Sequence, residues 1–208
     1  MTEGGLPGRA GRLLRLPPSY AALAWWGLVR PRAEREPLVV QQAVVLGEQG
    51  VLLGLRADLM GWELPGGAAS DGEGDEAAVC RELREETGLE IAVERRVGDY
   101  RRSGFRPHTA RVWRARVVGG ELRPSAETPA LGWFDPQELP ATLFPWYRGP
   151  LADGLAPQGE ARCVEEHQGW RHVLAGLCID LAMRWRGPRP DLGRGSAGGA
   201  RAPISGAD

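Results

Sequence analysis

Lysine is missing from this sequence: all 26 basic residues are arginine. Beside 30 glycines and 17 prolines, that absence reads as coding bias, and no function follows from it. Cysteine is scarce. Cys80, Cys163 and Cys178 are too few and too scattered for a disulfide framework or a cysteine-rich metal site, which points to a reducing, cytoplasmic setting. No apolar run reaches membrane-spanning length at the N-terminus. The segment from Tyr20 to Val29 is about half of what a bilayer needs, and no small-residue cleavage pattern follows it. Charge of one sign is not in excess either. The formal net charge is -1, which argues against bulk attraction to nucleic acid or to an anionic membrane. No internal repeat is visible. What remains is ordinary for a globular chain: 208 residues, 42% hydrophobic and 25% charged, enough for one domain with extensions.

The chain divides by composition. Residues 1–36 form an N-terminal extension with six arginines against three acids, broken by Pro17-Pro18 and Pro31. Residues 37–150 carry the strand signals. Leu38–Leu46 and Val51–Leu55 are β-rich runs around Gly47-Glu-Gln-Gly50, a hairpin pattern. A helix is predicted over Asp75–Thr87, stopped by Gly88. Strands are predicted at Ile91–Val97, Thr109–Val118 and Ala130–Phe134, with Gly119-Gly120 as a turn and a short helix capped by Asp135. Residues 151–187 form a C-terminal region in which Glu165–Arg186 reads as an amphipathic helix. Trp170, Val173, Leu174, Leu177, Leu181 and Trp185 form its stripe, which is expected to pack on Trp25-Trp26 or on a second subunit. Residues 188–208, with five Gly and three Pro, have the composition of a disordered tail.

One stretch is unusual. From Asp71 to Glu90 there are eight acids against two arginines. On a helix, Glu82, Glu85 and Glu86 stand at i, i+3 and i+4 and share a stripe, while Val79, Leu83 and Thr87 lie about a quarter turn away and can pack on a sheet. Like charges so spaced repel by a few tenths of a kcal/mol per pair, and no lysine relieves them. A hard divalent cation would. On these residues alone a solvated acidic face and a metal site remain equally open.

The register outside the helix separates them. Gly67, five residues, Glu73, seven residues, then Arg81-Glu82-Leu83-Arg84-Glu85-Glu86-Thr87-Gly88-Leu89 resembles the Nudix box at every defined position. Trp62-Glu-Leu-Pro-Gly-Gly67 and Gly132–Pro140 also resemble its usual surroundings, so the resemblance spans roughly residues 38–145. It implies an α/β fold, a Nudix-type α/β/α sandwich with a mixed β-sheet, here carrying N- and C-terminal helical extensions. It also implies hydrolysis of a pyrophosphate bond with Mg²⁺ or Mn²⁺. Carried over, Glu82, Glu85 and Glu86 would be metal ligands, with the Gly66 carbonyl a further one. Arg81 would orient those carboxylates and Glu73 would hold the loop.

A general base must then reach the attacking water. It is either a box glutamate or a downstream acid, with Glu127 preferred over Glu121. Between residues 95 and 116 eight arginines face only Asp99. Arginine suits bidentate phosphate contact, and Arg102 and Arg106, in a loop before a strand, are the chosen substrate-binding residues. His108 is expected to be structural. Trp146 and Tyr147 can stack on a base or pack in the core. The expected partner is a small-molecule nucleotide, with a homodimer as a further expectation and nucleic acid not expected. Downstream residues fit neither the ADP-ribose nor the dinucleoside-polyphosphate signature of such proteins. The substrate expectation is a nucleoside diphosphate linked to another moiety, ADP-ribose or a nucleotide sugar first. A house-cleaning nucleoside triphosphate pyrophosphatase and a non-catalytic nucleotide sensor are the alternatives.

Overall fold

The computed structural model describes residues 2–3, 8–28, 38–157 and 159–187. The expected tail at 188–208 and the Trp26 side chain lie outside them. The strands are β1 (Thr2–Glu3), β2 (Val39–Gly47), β3 (Gly50–Leu55), β4 (Trp62–Glu63), β5 (Gly66–Ala68), β6 (Leu89–Gly104), β7 (His108–Gly120), β8 (Ala130–Phe134) and β9 (Arg162–Gln168). The helices are α1 (Arg9–Leu14), α2 (Leu16–Leu28), α3 (Asp75–Thr87), α4 (Arg148–Leu155) and α5 (Trp170–Arg186), with one 3-10 turn at Pro145–Tyr147.

The nine strands form one mixed sheet in the order β1-β8-β3-β2-β7-β6-β9, with β4 beside β3 and β5 beside β2. β2–β7 and β6–β9 run parallel and the other pairs antiparallel. Because side chains alternate across a strand, the unbroken apolar runs of β2 and β3 feed two cores. Ala43, Val45 and Leu52 join Val79, Leu83 and Leu131 under α3. Val44, Val51, Leu53 and Leu55 join Trp62, Phe144, Leu151 and Met183 on the other face, under α4 and α5. Burial on both faces explains why these strands read as continuous rather than alternating hydrophobics. Each fully buried Leu or Val contributes about 1.5–3 kcal/mol. The mixed α/β sandwich expected from the sequence is the fold.

α3 forms where predicted. Val79, Leu83 and Thr87 face the sheet, and Asp75 and Glu76 complement the helix dipole in the first turn. Gly88 ends the helix in the left-handed region at φ 74°, its N–H donating to Arg84 O, a conformation that favours glycine.

Three local expectations change. β6 and β7 are longer than their apolar cores suggested, and Gly119 and Gly120 pair with Glu90 and Leu89 instead of forming a free turn. Asp135 nucleates a turn and not a helix: its carboxylate accepts from Gln137 N–H at 2.8 Å. Glu165–Gln168 belongs to β9, which pairs with Gly98–Gly104 of β6. That partner lies more than sixty residues away, where no helical periodicity can detect it.

The two extensions meet, but not as expected. α1 packs on α5 with the Arg9 guanidinium 3.1 Å from the Trp185 ring centroid. Trp25 is 61% exposed. The α5 stripe divides: Trp170, Leu174, Leu181 and Trp185 face outward, whereas Val173 and Leu177 turn toward a cleft in the domain. Among the described helices none is long and apolar enough to cross a membrane.

Candidate active site

The box loop is tied to its helix by Arg81. Its Nε and Nη2 donate to the two oxygens of Glu73 at 2.9 and 2.8 Å, and Nη2 also reaches Ala68 O at 3.1 Å. Nη1 donates to Glu82 at 2.9 Å and to Glu85 at 3.2 Å. The Arg81 bonds, joined by the Ser70 N–H, hold Glu73 down to about 2. One guanidinium therefore joins the loop to two box carboxylates.

Glu82 and Glu86 line a cavity of about 610 Å³ together with Glu63, Glu127 and the Gly66–Ala68 strand. Glu86 is strongly perturbed. Burial, then the charges of Glu63, Glu82 and Glu127, push it up to about 8 despite a 3.0 Å bond from Gly66 N–H. Glu82 is also raised, by burial first, with Arg81 opposing. Gly67 leaves room for Glu82, since a Cβ there would collide with its carboxylate.

Glu85 is placed differently from the expected three-carboxylate stripe. Its side chain is 58% exposed, and it lines a separate depression with Glu121 and Arg123. Gly66 lines the cavity, but the contact it makes to the box is through its N–H. Glu121 pairs with Arg123 on the surface at 2.8 Å, away from Glu127.

Among the described residues no three His, Cys, Asp or Glu side chains are grouped to hold a metal ion. The donor set still has the chemistry that a hard divalent cation needs. Oxygen ligands are present: Glu63, Glu82, Glu86 and Glu127 line one cavity, and the neighbouring negative charges add to burial in raising Glu86.

A second, more apolar end opens from the same cavity, with Arg56, Glu63 and Arg106 lining both. Arg56 donates to Glu63 at 3.0 Å and in bidentate fashion to Asp58. Against the upward push of burial, that pairing holds Asp58 down to about 2. Tyr147 O–H donates to Glu63 at 2.7 Å and accepts from Gln42 Nε2 at 3.2 Å, so Tyr147 belongs to the core and the site edge at once. Arg106, with φ at 58°, is lowered by burial and by the neighbouring Arg56. Asp58 and Glu63 partly offset that crowding of two guanidiniums.

Arg102 is corrected to a structural role. Its side chain is 1% exposed and donates to Glu166, to Trp146 O at 2.8 Å and to His108 Nε2. It does not line the cleft. Because an arginine can only donate, His108 Nε2 accepts, and its Nδ1–H donates to Arg106 O at 2.7 Å. That neutral tautomer accords with burial and the surrounding arginines, which hold His108 down to about 4.

Glu63, Arg56 and the α5 wall were missed in the sequence. The signals were present. Glu63 stands four residues before the box glycine, and Gln41-Gln42 is a polar pair inside an apolar strand. Gln41 is fully paired, to Asp75 at 2.7 Å and from Trp113 Nε1 at 2.8 Å.

A mixed sheet between helices, with an arginine-braced acidic helix beside a carboxylate-lined cleft, has the donor chemistry suited to work on a phosphoanhydride. A profile of the NUDIX domain family matches residues 37–154, and the chain belongs to that family; its activity class is that of a Nudix pyrophosphohydrolase. A MutT-like protein of Streptomyces ambofaciens is 37% identical over 134 residues, covering 64% of this chain and 85% of that protein. A Mycobacterium tuberculosis protein named as a proposed 8-oxo-dGTP diphosphatase is 42% identical over 113 residues, covering 49% and 78%. The crystal structure of an ADP-ribose pyrophosphatase from Streptococcus suis superposes with a TM-score of 0.53 at 26% identity, covering 63% and 100%.

Proposed function

We propose that this protein hydrolyses a pyrophosphate bond in a nucleoside diphosphate linked to another moiety, ADP-ribose or a nucleotide sugar among the first substrates to test. The observation that carries the reading is the convergence of Glu82, Glu86, Glu63 and Glu127 on one cavity that Arg56 and Arg106 also line. Pyrophosphate resists water because its oxygens already carry negative charge. Glu82 and Glu86 would hold a Mg²⁺ or Mn²⁺, which would neutralise that charge and lower the pKa of a bound water. Arg106, which lines the same cavity, binds the phosphates. Glu127 accepts the proton of the attacking water. Arg81 keeps Glu82 in place, and Tyr147 with Arg56 orients Glu63.

A second reading, hydrolysis of a nucleoside triphosphate, is favoured by the MutT-like and 8-oxo-dGTP-related names of two relatives. Both readings meet in one experiment. Nucleotide sugars, ADP-ribose, and ordinary and oxidised nucleoside triphosphates are incubated with Mg²⁺ or Mn²⁺ and the wild type beside Glu86→Gln. Turnover of one class, lost in the variant, supports the corresponding reading. Tight binding across the panel with no turnover would leave a nucleotide sensor and overturn both.

A further inference from the structure

The apolar end of the cleft is built partly by residues beyond the family region. α5 lies outside residues 37–154, yet His172, Val173, Gly176 and Leu177 form one wall. Trp146 forms another, stacked on Phe144 at 4.7 Å and 7° so that its indole is braced. Gly176 sits against that indole: a Cβ there would come 3.2 Å from Trp146 Cη2. A larger residue there would press on the indole and intrude on this end of the cleft.

Two polar atoms in these walls have no partner. Gln42 is 4% exposed; its Nε2 is used by Tyr147, but its Oε1 has no hydrogen bond, and neither does the buried Nδ1 of His172. An unmet buried polar group costs about 1–3 kcal/mol, and native structures keep few of them. Both residues line the same apolar space. Apolar walls with a few convergent polar atoms are the composition of a site for a small planar molecule.

We propose that α5 is a substrate-recognition element of this enzyme. The apolar end of the cleft, walled by α5 and Trp146, takes a flat heteroaromatic ring, the base of the nucleotide. Gln42 Oε1 accepts an N–H from the ring's edge, and His172 Nδ1 meets a second polar atom. Oε1 can only accept, so the ring must present a donor, which excludes a purely hydrocarbon occupant. The inference rests on the reading of the cleft as a nucleotide site, but its test needs neither metal nor turnover.

Binding of AMP, GMP, CMP and UMP to the full chain is measured by calorimetry in the absence of divalent cation, against ribose 5-phosphate. The expected result is that at least one nucleoside monophosphate binds ten-fold or more tighter than ribose 5-phosphate. Gly176→Leu, which intrudes on this end of the cleft without removing a polar partner, removes that advantage and leaves ribose 5-phosphate binding unchanged. His172→Leu and Gln42→Met each weaken the preferred monophosphate by several-fold, while His172→Leu leaves the melting temperature within a few degrees. Equal binding of ribose 5-phosphate and all four monophosphates overturns the proposal, as does a Gly176→Leu variant that keeps the base preference. Loss of hydrolysis with the base preference intact would instead count against the proposed reaction.

Discussion

Arg184→Met tests whether the extensions are part of the fold or ride on it. Asp180 and Arg184 are one turn apart on α5 and are 0% and 1% exposed. Asp180 accepts from Arg184 Nε at 2.8 and 2.9 Å, from Met60 N–H at 2.7 Å and from Tyr20 O–H at 2.8 Å. Arg184 in turn donates to Arg12 O at 3.0 Å and to Asp58 O at 2.8 Å. One buried pair thus joins α1, α2 and α5 to the loop that carries Arg56 and Asp58 into the cleft. Removing one partner of a buried pair costs about 3–5 kcal/mol, because the other charge is left without compensation. At about 2–4 °C per kcal/mol for a chain of this size, Arg184→Met should lower the melting temperature by about 12 °C. Adding Asp180→Asn removes the stranded charge while keeping an acceptor for Met60 N–H. The double variant should therefore recover about 1–2 kcal/mol relative to Arg184→Met alone. Calorimetric or circular-dichroism melts of the three proteins read both effects. A single variant within about 1 kcal/mol of wild type would show that the pair does not bind the extensions to the domain. A double variant less stable than the single would show that the charge was not the cause.

His108 gives an acid-sensitive term of defined sign. Its folded value near 4 lies below the usual 6.5, so the fold favours the neutral imidazole. That preference costs nothing above about pH 6.5 and removes stability as pH falls toward 4, by about 3 kcal/mol in all. Urea unfolding of wild type and His108→Gln at pH 7 and pH 4.5 should show the variant losing less stability on acidification; parallel losses refute the assignment. Gly67→Ala places a Cβ against the Glu82 carboxylate, the movable end of a side chain. Hydrolysis should fall at least ten-fold while the melting temperature shifts by only a few degrees, and unchanged turnover would mean that Glu82 need not sit where it does. Glu127→Gln should lower kcat by about 10²–10⁴ with KM little changed, whereas Glu121→Gln should leave both unaltered. A comparable loss in both variants would remove Glu127 from the proposed role.

The limits of what the sequence revealed follow from geometry. α3 was legible to its ends because its signals are local: a 3.6-residue apolar pattern, acids in the first turn and a left-handed glycine stop. The hairpin of β2 and β3 was legible for the same reason. β9 was not, since Arg162–Gln168 becomes a strand only through a parallel partner in β6. Within the box, helical spacing alone was too coarse to separate three glutamates. At about 100° per residue, Glu86 lies about 40° to one side of Glu82 and Glu85 about 60° to the other. A cleft that meets the helix obliquely can therefore receive Glu82 and Glu86 and leave Glu85 to solvent. Arg102 and Arg106 show the same limit: four residues apart in one arginine-rich stretch, one is buried and donates to the Trp146 carbonyl while the other lines the cleft. Their difference comes from long-range partners, Glu166 and the Trp146 carbonyl for one, the Arg56 loop for the other. The residues that decide chemistry here were readable where their own neighbours in sequence place them, and hidden where a distant element does. α5 is the extreme case, since it approaches the cleft from outside the family region.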